Sequence, residues 1–176
     1  KEDVPVVFHD SDITGRLCRD SSGKIVRDPL PIRKLTLKEI QSFECGTVYQ
    51  PRFPQQLRIR TQIPTFESIL EWVSNEAPNV SLNIETKMEA SSPDLVPDPE
   101  LFVKKVVELL KKYKLLNRTI LQSFDFRTLE AAKKIETTLP LACLFEKETN
   151  FRELTYQAGC QIASPNYKLL TQENVK

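Results

Sequence analysis

The sequence is poor in glycine, methionine, histidine and tryptophan, and it has no excess of charge of either sign. It contains 4 Gly, 1 Met, 1 His and 1 Trp among 176 residues. So little glycine excludes collagen-like and low-complexity chains. Lys and Arg number 25 against 24 Asp and Glu, and this balance disfavours nucleic-acid or membrane-surface binders, which need a basic excess. No apolar run approaches the roughly 18 residues of a membrane span, so no transmembrane segment is predicted.

The cysteines do not form a CxxC pair, which disfavours a zinc knuckle. Four cysteines in a chain of this length are also too few for a disulfide scaffold. One bridge, between Cys18 and Cys45, is conceivable. Cys143 and Cys160 lie in apolar segments, and we expect them to be buried as small hydrophobic residues.

The length and composition suit a single packed domain. Hydrophobic residues make up 40% and charged residues 28% of the chain. Only three residues, Lys1–Asp3, precede an apolar run that begins at Val4, and the last residues resemble the first turn of a helix. We therefore expect residues 1–176 to be one domain that is incomplete at both ends. A cytoplasmic location is then not distinguished from a periplasmic or secreted one.

Apolar runs alternate with stretches of helical periodicity along the chain. The runs predict five strands, at residues 4–8, 80–84, 120–124, 139–145 and 160–164. Each run is followed by at least one amphipathic segment, which indicates parallel strands with right-handed crossovers. Since no glycine-rich phosphate turn follows a strand, a Rossmann or P-loop unit is disfavoured. At roughly 35 residues per unit, the sequence predicts an α/β (β/α)8 TIM barrel, of which this chain carries about five strand–helix units.

The sequence also predicts a helix start, a helix end and a long loop. Thr36 and Glu39 have the spacing of a capping box, which predicts a helix over residues 37–43. Gly159 follows an amphipathic segment at the position where helices often end in a left-handed residue. Residues 10–34, which are polar and contain prolines and glycines, are predicted to form a long loop.

Candidate functional residues lie where barrels place them, at the carboxyl ends of the strands. His9 follows the first predicted strand, and its imidazole can exchange a proton near neutral pH, although a structural or surface role is equally compatible. Glu85 and Lys87 follow the second and point to the same side. The carboxylate suits a hard cation, while a plain salt bridge between the two residues remains open. Ser123 lacks a G-x-S-x-G elbow, which disfavours a Ser-His-Asp hydrolase.

Several motifs resemble, in order, those of the glycerophosphodiester phosphodiesterase family. Residues Asp3–Asp10 resemble the family's GxPVVxHD segment. Five later segments resemble its LTLxEL, IPTLEE, LNIExK, xSFD and P-x-x-x-L-T motifs: Leu35–Ile40, Ile63–Glu67, Leu82–Lys87, Gln122–Asp125 and Ser164–Thr171. The separations between these segments match those between the family's motifs over nearly the whole chain.

The resemblance implies a (β/α)8 barrel that uses a divalent cation, Ca²⁺ or Mg²⁺. It implies hydrolysis of small-molecule glycerophosphodiesters to glycerol 3-phosphate and an alcohol, a reaction of lipid and glycerol metabolism. By the resemblance, His9 is one of two catalytic histidines, Glu85 is one of three metal carboxylates, and Lys87 is a basic residue near the phosphate. The resemblance also implies that Ser123 and Phe124 line the pocket. The family's H-R-G and E-x-D segments are not in this sequence, so we expect this stretch alone to be inactive.

Two other functions remain open. A catalytically silent barrel used for binding or regulation predicts that the strands outside this stretch lack H-R-G or E-x-D. A related phosphodiesterase that cleaves phospholipids would need an exposed apolar lip for membrane contact. The segments 10–35 and 51–62, which we expect to shape the substrate cleft, are polar, and this disfavours the phospholipid-cleaving enzyme.

Overall fold

A computed structural model describes residues 2–88 and 91–175 and divides the chain into two units, one up to Ile69 and one from Leu70 onward. The first unit has little regular structure. Four two-residue strands pair in two antiparallel ladders: β1 (Asp12–Ile13) with β3 (Leu30–Pro31), and β2 (Cys18–Arg19) with β4 (Glu44–Cys45). Three of these strands lie within residues 10–34, where the sequence predicted an uninterrupted loop, because two residues are too few to show a periodicity.

The helix α1 (Leu37–Ser42) begins at the predicted capping box. The backbone N–H of Thr36 donates to the Glu39 carboxylate at 2.7 Å, and the Glu39 N–H donates to the Thr36 hydroxyl at 3.3 Å. These two bonds satisfy two of the amides that a helix start leaves without an intrahelical partner. The helix then buries Ile40 in the core of the first unit.

That core is small. It consists of the buried residues Ile13, Cys18, Val26, Ile40, Cys45 and Ile63. Cys18 and Cys45 face each other across β2 and β4 and form a disulfide, with their Cα atoms 4.1 Å apart. The bridge that the sequence left conceivable is therefore present.

Residues 4–8 do not form the first parallel strand that the sequence predicted. Among the described residues, Val6 makes an isolated antiparallel bridge with Thr65, and the Val7 N–H donates to the Pro64 carbonyl at 3.0 Å. The Val7 side chain is 44% exposed, so the run is not buried on both faces. The prediction was wrong because an apolar run becomes a strand only where a second strand pairs along its length, and hydrophobicity does not report pairing.

The second unit is a parallel β/α sheet. Its four strands are β5 (Leu82–Glu85), β6 (Thr119–Ser123), β7 (Leu141–Phe145) and β8 (Ile162–Pro165), in that spatial order. The helix α2 (Phe66–Glu76) precedes β5, and the crossovers are α3 (Pro99–Lys112), α4 (Phe126–Ile135) and α5 (Phe151–Ala158). The predicted alternation is thus confirmed for four strands instead of five. No helix in the described part of the chain is long and apolar enough to cross a membrane.

The two faces of this sheet have different surroundings. In β6, Thr119, Leu121 and Ser123 are buried, whereas the residues between them are partly exposed, as the period of two in a strand requires. The Thr86 hydroxyl lies 2.8 Å from the hydroxyl of Thr128 in α4, which identifies the buried side as the one that the helices cover. The opposite face therefore carries the residues available to a ligand.

A second disulfide joins Cys143 in β7 to Cys160, which precedes β8. The expectation that these cysteines are simply buried hydrophobic residues was wrong, although Cys143 is fully buried. Gly159 adopts the predicted left-handed conformation (φ 68°) and ends α5. The chain then turns back to the sheet, and the Cα atoms of the two cysteines come within 6.2 Å of each other.

Candidate functional site

Glu85 and Lys87 form an ion pair at the carboxyl end of β5. The Lys87 Nζ lies 2.7 Å from Glu85 Oε1, and this carboxylate oxygen is itself buried. The two side chains share a side of the strand because they are two residues apart. The salt bridge that the sequence left open is therefore formed, and it holds a cationic group at the strand end where barrels carry their functional residues.

The strand register places an aromatic ring beside this pair. Glu85 is level with Gln122 in β6, so Lys87 is level with Phe124, two residues further along. The Lys87 Nζ lies 6.0 Å from the centroid of the Phe124 ring, a distance at the outer limit of a cation–π contact. The structure thus brings together three of the predicted site residues: Glu85, Lys87 and Phe124.

Gln122 is a neighbour of this group to which the sequence analysis assigned no role. Its Oε1 accepts a hydrogen bond from the Asn83 amide at 3.2 Å, which fixes the Gln122 side chain on the same face as Glu85. The signal was present in the sequence, because counting back two residues from Phe124 within a predicted strand gives Gln122.

Glu146 and Asn166 extend the same face beyond the ends of β7 and β8. The Asn166 amide donates to Glu146 Oε1 at 3.2 Å. Ala142 of β7 is level with Gln122, so Glu146 stands four residues beyond the level of Glu85. That offset is about 13 Å along the strand direction, so the two carboxylates do not share one cation.

Ser123 lies on the other face. It is fully buried, and its hydroxyl donates to the Thr86 carbonyl at 3.0 Å and accepts from the Asp125 N–H at 3.0 Å. These bonds tie the end of β5 to the turn between β6 and α4. Ser123 therefore stabilises the strand ends from the helix-covered face of the sheet. Its predicted contact with substrate stays a prediction.

Asp125 caps the helix α4. Its carboxylate accepts from the Arg127 backbone N–H at 3.1 Å, and the Arg127 guanidinium lies 2.5 Å from its Oδ2. The hydrogen bonds from Arg127 hold the pKa of Asp125 below its ordinary value of 3.8, against the opposing effect of burial. Asp125 is thus an ionised helix cap directly after the residues that line the site.

His9 belongs to the first unit, and its side chain is 79% exposed. Its Nδ1 lies 2.8 Å from Asp10 Oδ1, and the Arg16 guanidinium contacts Asp10 Oδ2 at 2.5 Å. The hydrogen bond to His9, and then the guanidinium of Arg16, lower the pKa of Asp10 while burial opposes them. An ionised Asp10 favours the tautomer with the proton on Nδ1, which leaves Nε2 as the nitrogen that can accept a proton.

A further hydrogen bond links this group to residues beyond α1. The Gln50 side-chain amide donates to the Arg16 carbonyl at 2.5 Å. Gln50, Arg16, Asp10 and His9 are thereby connected in series. Neither Arg16 nor Gln50 was predicted from the sequence, since both lie in segments without periodicity.

Glu85 can supply one ligand to a hard cation. Carboxylate oxygen is the donor that Ca²⁺ and Mg²⁺ prefer, and a buried carboxylate oxygen at a strand end fits as one ligand. Across residues 2–88 and 91–175, no group of three His, Cys, Asp or Glu side chains is arranged to hold a metal ion. A cation bound at Glu85 therefore needs additional oxygen ligands.

The four parallel strands, with polar side chains at their carboxyl ends, match part of a TIM-type (β/α)8 barrel. The sequence model of the glycerophosphoryl diester phosphodiesterase family matches residues 1–175. The chain belongs to this family, as its motifs indicated.

Known relatives agree in fold. The chain is 29% identical over 162 residues to a glycerophosphodiester phosphodiesterase of Bacillus subtilis, covering 82% of this chain and 51% of that protein. A structure from Silicibacter pomeroyi, assigned to the glycerophosphoryl diester phosphodiesterases, superposes with a TM-score of 0.87 at 23% identity, over 99% of this chain and 64% of that one. An Oleispira antarctica phosphodiesterase in complex with the product sn-glycerol-3-phosphate gives 0.74 at 20% identity, over 99% and 62%. The chain thus spans about half the length of the curated relative that it matches.

Proposed function

We propose that the protein carrying this chain hydrolyses glycerophosphodiesters to glycerol 3-phosphate and an alcohol, with Ca²⁺ or Mg²⁺ bound in part by Glu85. The observation that supports this most is the Glu85–Lys87 pair at the end of β5 in a member of this family. The presence of sn-glycerol-3-phosphate in the Oleispira antarctica structure supports the same substrate class.

Lys87 is the cationic group of the proposed reaction. Its ammonium, held 2.7 Å from Glu85, is available to a phosphate oxygen on the exposed face of the sheet. Positive charge placed in advance at the position where negative charge develops stabilises the transition state. A divalent cation, when bound, would neutralise phosphate charge and lower the pKa of an attacking hydroxyl.

His9 is the proton-transfer group of the proposed reaction. Asp10 holds Nδ1, so Nε2 accepts a proton from the nucleophile or returns it to the leaving alcohol. Arg16 keeps Asp10 ionised and oriented, and it acts through Asp10 as a positioning residue.

The test is the release of glycerol 3-phosphate from glycerophosphocholine by the full-length protein, with Ca²⁺ or Mg²⁺ added and with the metal removed by a chelator. We expect the hydrolysis to require the cation and Glu85→Gln to reduce it by about 100-fold or more. Glu108→Gln, which removes an exposed carboxylate from α3, is the matched control and should leave the rate unchanged. Absence of hydrolysis with either cation would instead indicate a silent barrel, and near-native turnover of His9→Ala would refute the role of His9.

A further inference from the structure

An arm of the first unit, residues 49–60, exposes large apolar side chains. Tyr49, Phe53, Leu57 and Ile59 have exposed fractions of 55%, 58%, 78% and 62%. From the sequence, residues 51–62 were expected to be polar, and that polarity disfavoured a membrane-contacting lip. The structure corrects this description, because the apolar residues of this stretch do not turn inward to the core.

The same arm concentrates positive charge. Arg52, Arg58 and Arg60 alternate with the apolar residues, and no Asp or Glu occurs between Glu44 and Glu67. Among the described residues, none of these three arginines has an ion-pair partner. A net charge of +1 for the whole chain therefore conceals a local charge of +3.

The backbone of the arm is tied to the rest of the first unit. Near its end, the Cys45 N–H donates to the Thr61 carbonyl at 2.8 Å. Gly46 has a φ of 130°, and a Cβ at this position would collide with the Ile59 carbonyl. Glycine therefore permits the close approach of the chain segments around Gly46 and Ile59. At the other end, Gln50 donates to the Arg16 carbonyl. The exposed side chains are thus presented by an anchored backbone, which loses less conformational freedom on binding than a free tail.

We propose that this arm docks the protein onto the surface of an anionic phospholipid membrane. Apolar side chains partition into the boundary between headgroups and acyl chains, and interspersed arginines reach the phosphates with their long side chains. Anionic lipid attracts cationic residues near the surface. A bilayer also accepts scattered apolar residues without shape complementarity, whereas nucleic acid offers no apolar medium for Leu57 and Ile59. The docking is independent of the proposed hydrolysis.

The experiment is co-sedimentation of the full-length protein with vesicles of phosphatidylcholine alone and of phosphatidylcholine mixed with phosphatidylglycerol. We expect preferential binding to the anionic vesicles that weakens as salt is added. The variant Arg52→Gln/Arg58→Gln/Arg60→Gln should bind less tightly by about fivefold for each arginine removed. The variant Phe53→Ser/Leu57→Ser/Ile59→Ser should lose about tenfold or more, since it removes the side chains that enter the bilayer.

The matched control is Lys104→Gln/Lys105→Gln/Lys133→Gln, which removes the same charge from exposed positions outside the arm. It should bind as the native protein does. The proposal is overturned if the native protein does not bind anionic vesicles, if the control weakens binding as much as the arm variants do, or if the arm variants bind normally. Self-association that depends on the arm and persists without vesicles would also overturn it, because the occupant would then be a second copy.

Two further measurements keep folding and function separate from docking. Circular dichroism should be unchanged in all three variants, and the native protein is also assayed for the release of glycerol 3-phosphate from dissolved glycerophosphocholine. A native protein that binds vesicles but releases no glycerol 3-phosphate would contradict the proposed function and leave the docking surface standing.

Discussion

The two units position their candidate functional groups by different physical means. In the second unit, the strand register fixes Glu85, Lys87 and Phe124, because each stands at the end of a hydrogen-bonded parallel strand. In the first unit, His9 lies outside the strands and is oriented by a series of side-chain contacts through Asp10 and Arg16. Functional groups held by a hydrogen-bonded strand ladder should keep their positions when neighbouring side chains are replaced. A group held by a series of side-chain contacts should lose its orientation when any one of those contacts is removed.

The largest expected effect tests the site on the ladder. Replacing Lys87 by Met removes its charge, and we expect kcat for glycerophosphocholine to fall by about 100- to 1000-fold. Replacing it by Arg keeps the charge and should restore part of that loss. Because the sheet holds the strand end, the far-UV circular dichroism of both variants should match that of the native protein. An equal loss in both variants would mean that shape, and not charge, is what Lys87 provides.

Each unit contains one disulfide, so removing each bridge in turn compares how the two units are stabilised. The Cys18–Cys45 bridge spans 27 residues and the Cys143–Cys160 bridge spans 17, so chain entropy gives each about 3–4 kcal/mol. The core of the first unit has four buried residues besides the two bridged cysteines, whereas helices and sheet pack together in the second. Cys18→Ser/Cys45→Ser should therefore abolish amide protection through much of the first unit.

The reciprocal variant is Cys143→Ser/Cys160→Ser. We expect it to lower the free energy of unfolding while leaving the amides of β6 and β7 protected, because their hydrogen bonds lie inside a packed sheet. Hydrogen exchange followed by mass spectrometry reports both variants. Greater loss of protection in the second unit than in the first would reverse the comparison.

Arg16 tests the series of contacts. Replacing it by Gln leaves His9 and Asp10 in place but removes the guanidinium that holds Asp10 Oδ2. We expect kcat to fall by about tenfold with little change in KM, because orientation of a general base contributes to the transition state more than to binding. Without this guanidinium the pKa of Asp10 rises, so the acid limb of the pH–rate profile should also move to higher pH. A lower rate with an unchanged pH profile would indicate a purely structural role.

The sequence predicted the second unit better than the first, for a physical reason. The amphipathic segment expected after the run at residues 120–124 is present as the helix α4, and it could be predicted because an amphipathic helix repeats its pattern over several turns. The ladders around Ile13 and the bridge between Cys143 and Cys160 depend on which distant segments meet, and no local pattern records that meeting. The same reason applies to the candidate site. Glu85 and Lys87 could be predicted because they share one strand end, whereas Arg16 could not, because it contacts Asp10 from a loop.

The smallest expected effect concerns Asp125, whose side chain is 8% exposed and caps α4 in the second unit. Asp125→Ala removes the acceptor of the Arg127 N–H and should destabilise α4 by about 1 kcal/mol, whereas Asp125→Asn keeps an acceptor and should lose a few tenths. The native pKa of Asp125 lies below its ordinary value of 3.8. Ionisation therefore adds stability that is complete above that value and is lost as the pH falls through the lower, folded-state pKa.

Hydrogen exchange of the α4 amides, compared near neutral pH and at about pH 3, separates these contributions. The native protein should lose protection in acid, and Asp125→Asn should lose less because it has no charge at this position to titrate. The exposed guanidinium of Arg127 keeps the charge effect small beside the capping effect. If Asp125→Asn were as weakly protected as Asp125→Ala at both pH values, the charge would outweigh the cap. The start of α4 would then depend on an ion pair between side chains, as the orientation of His9 depends on side-chain contacts through Asp10 and Arg16.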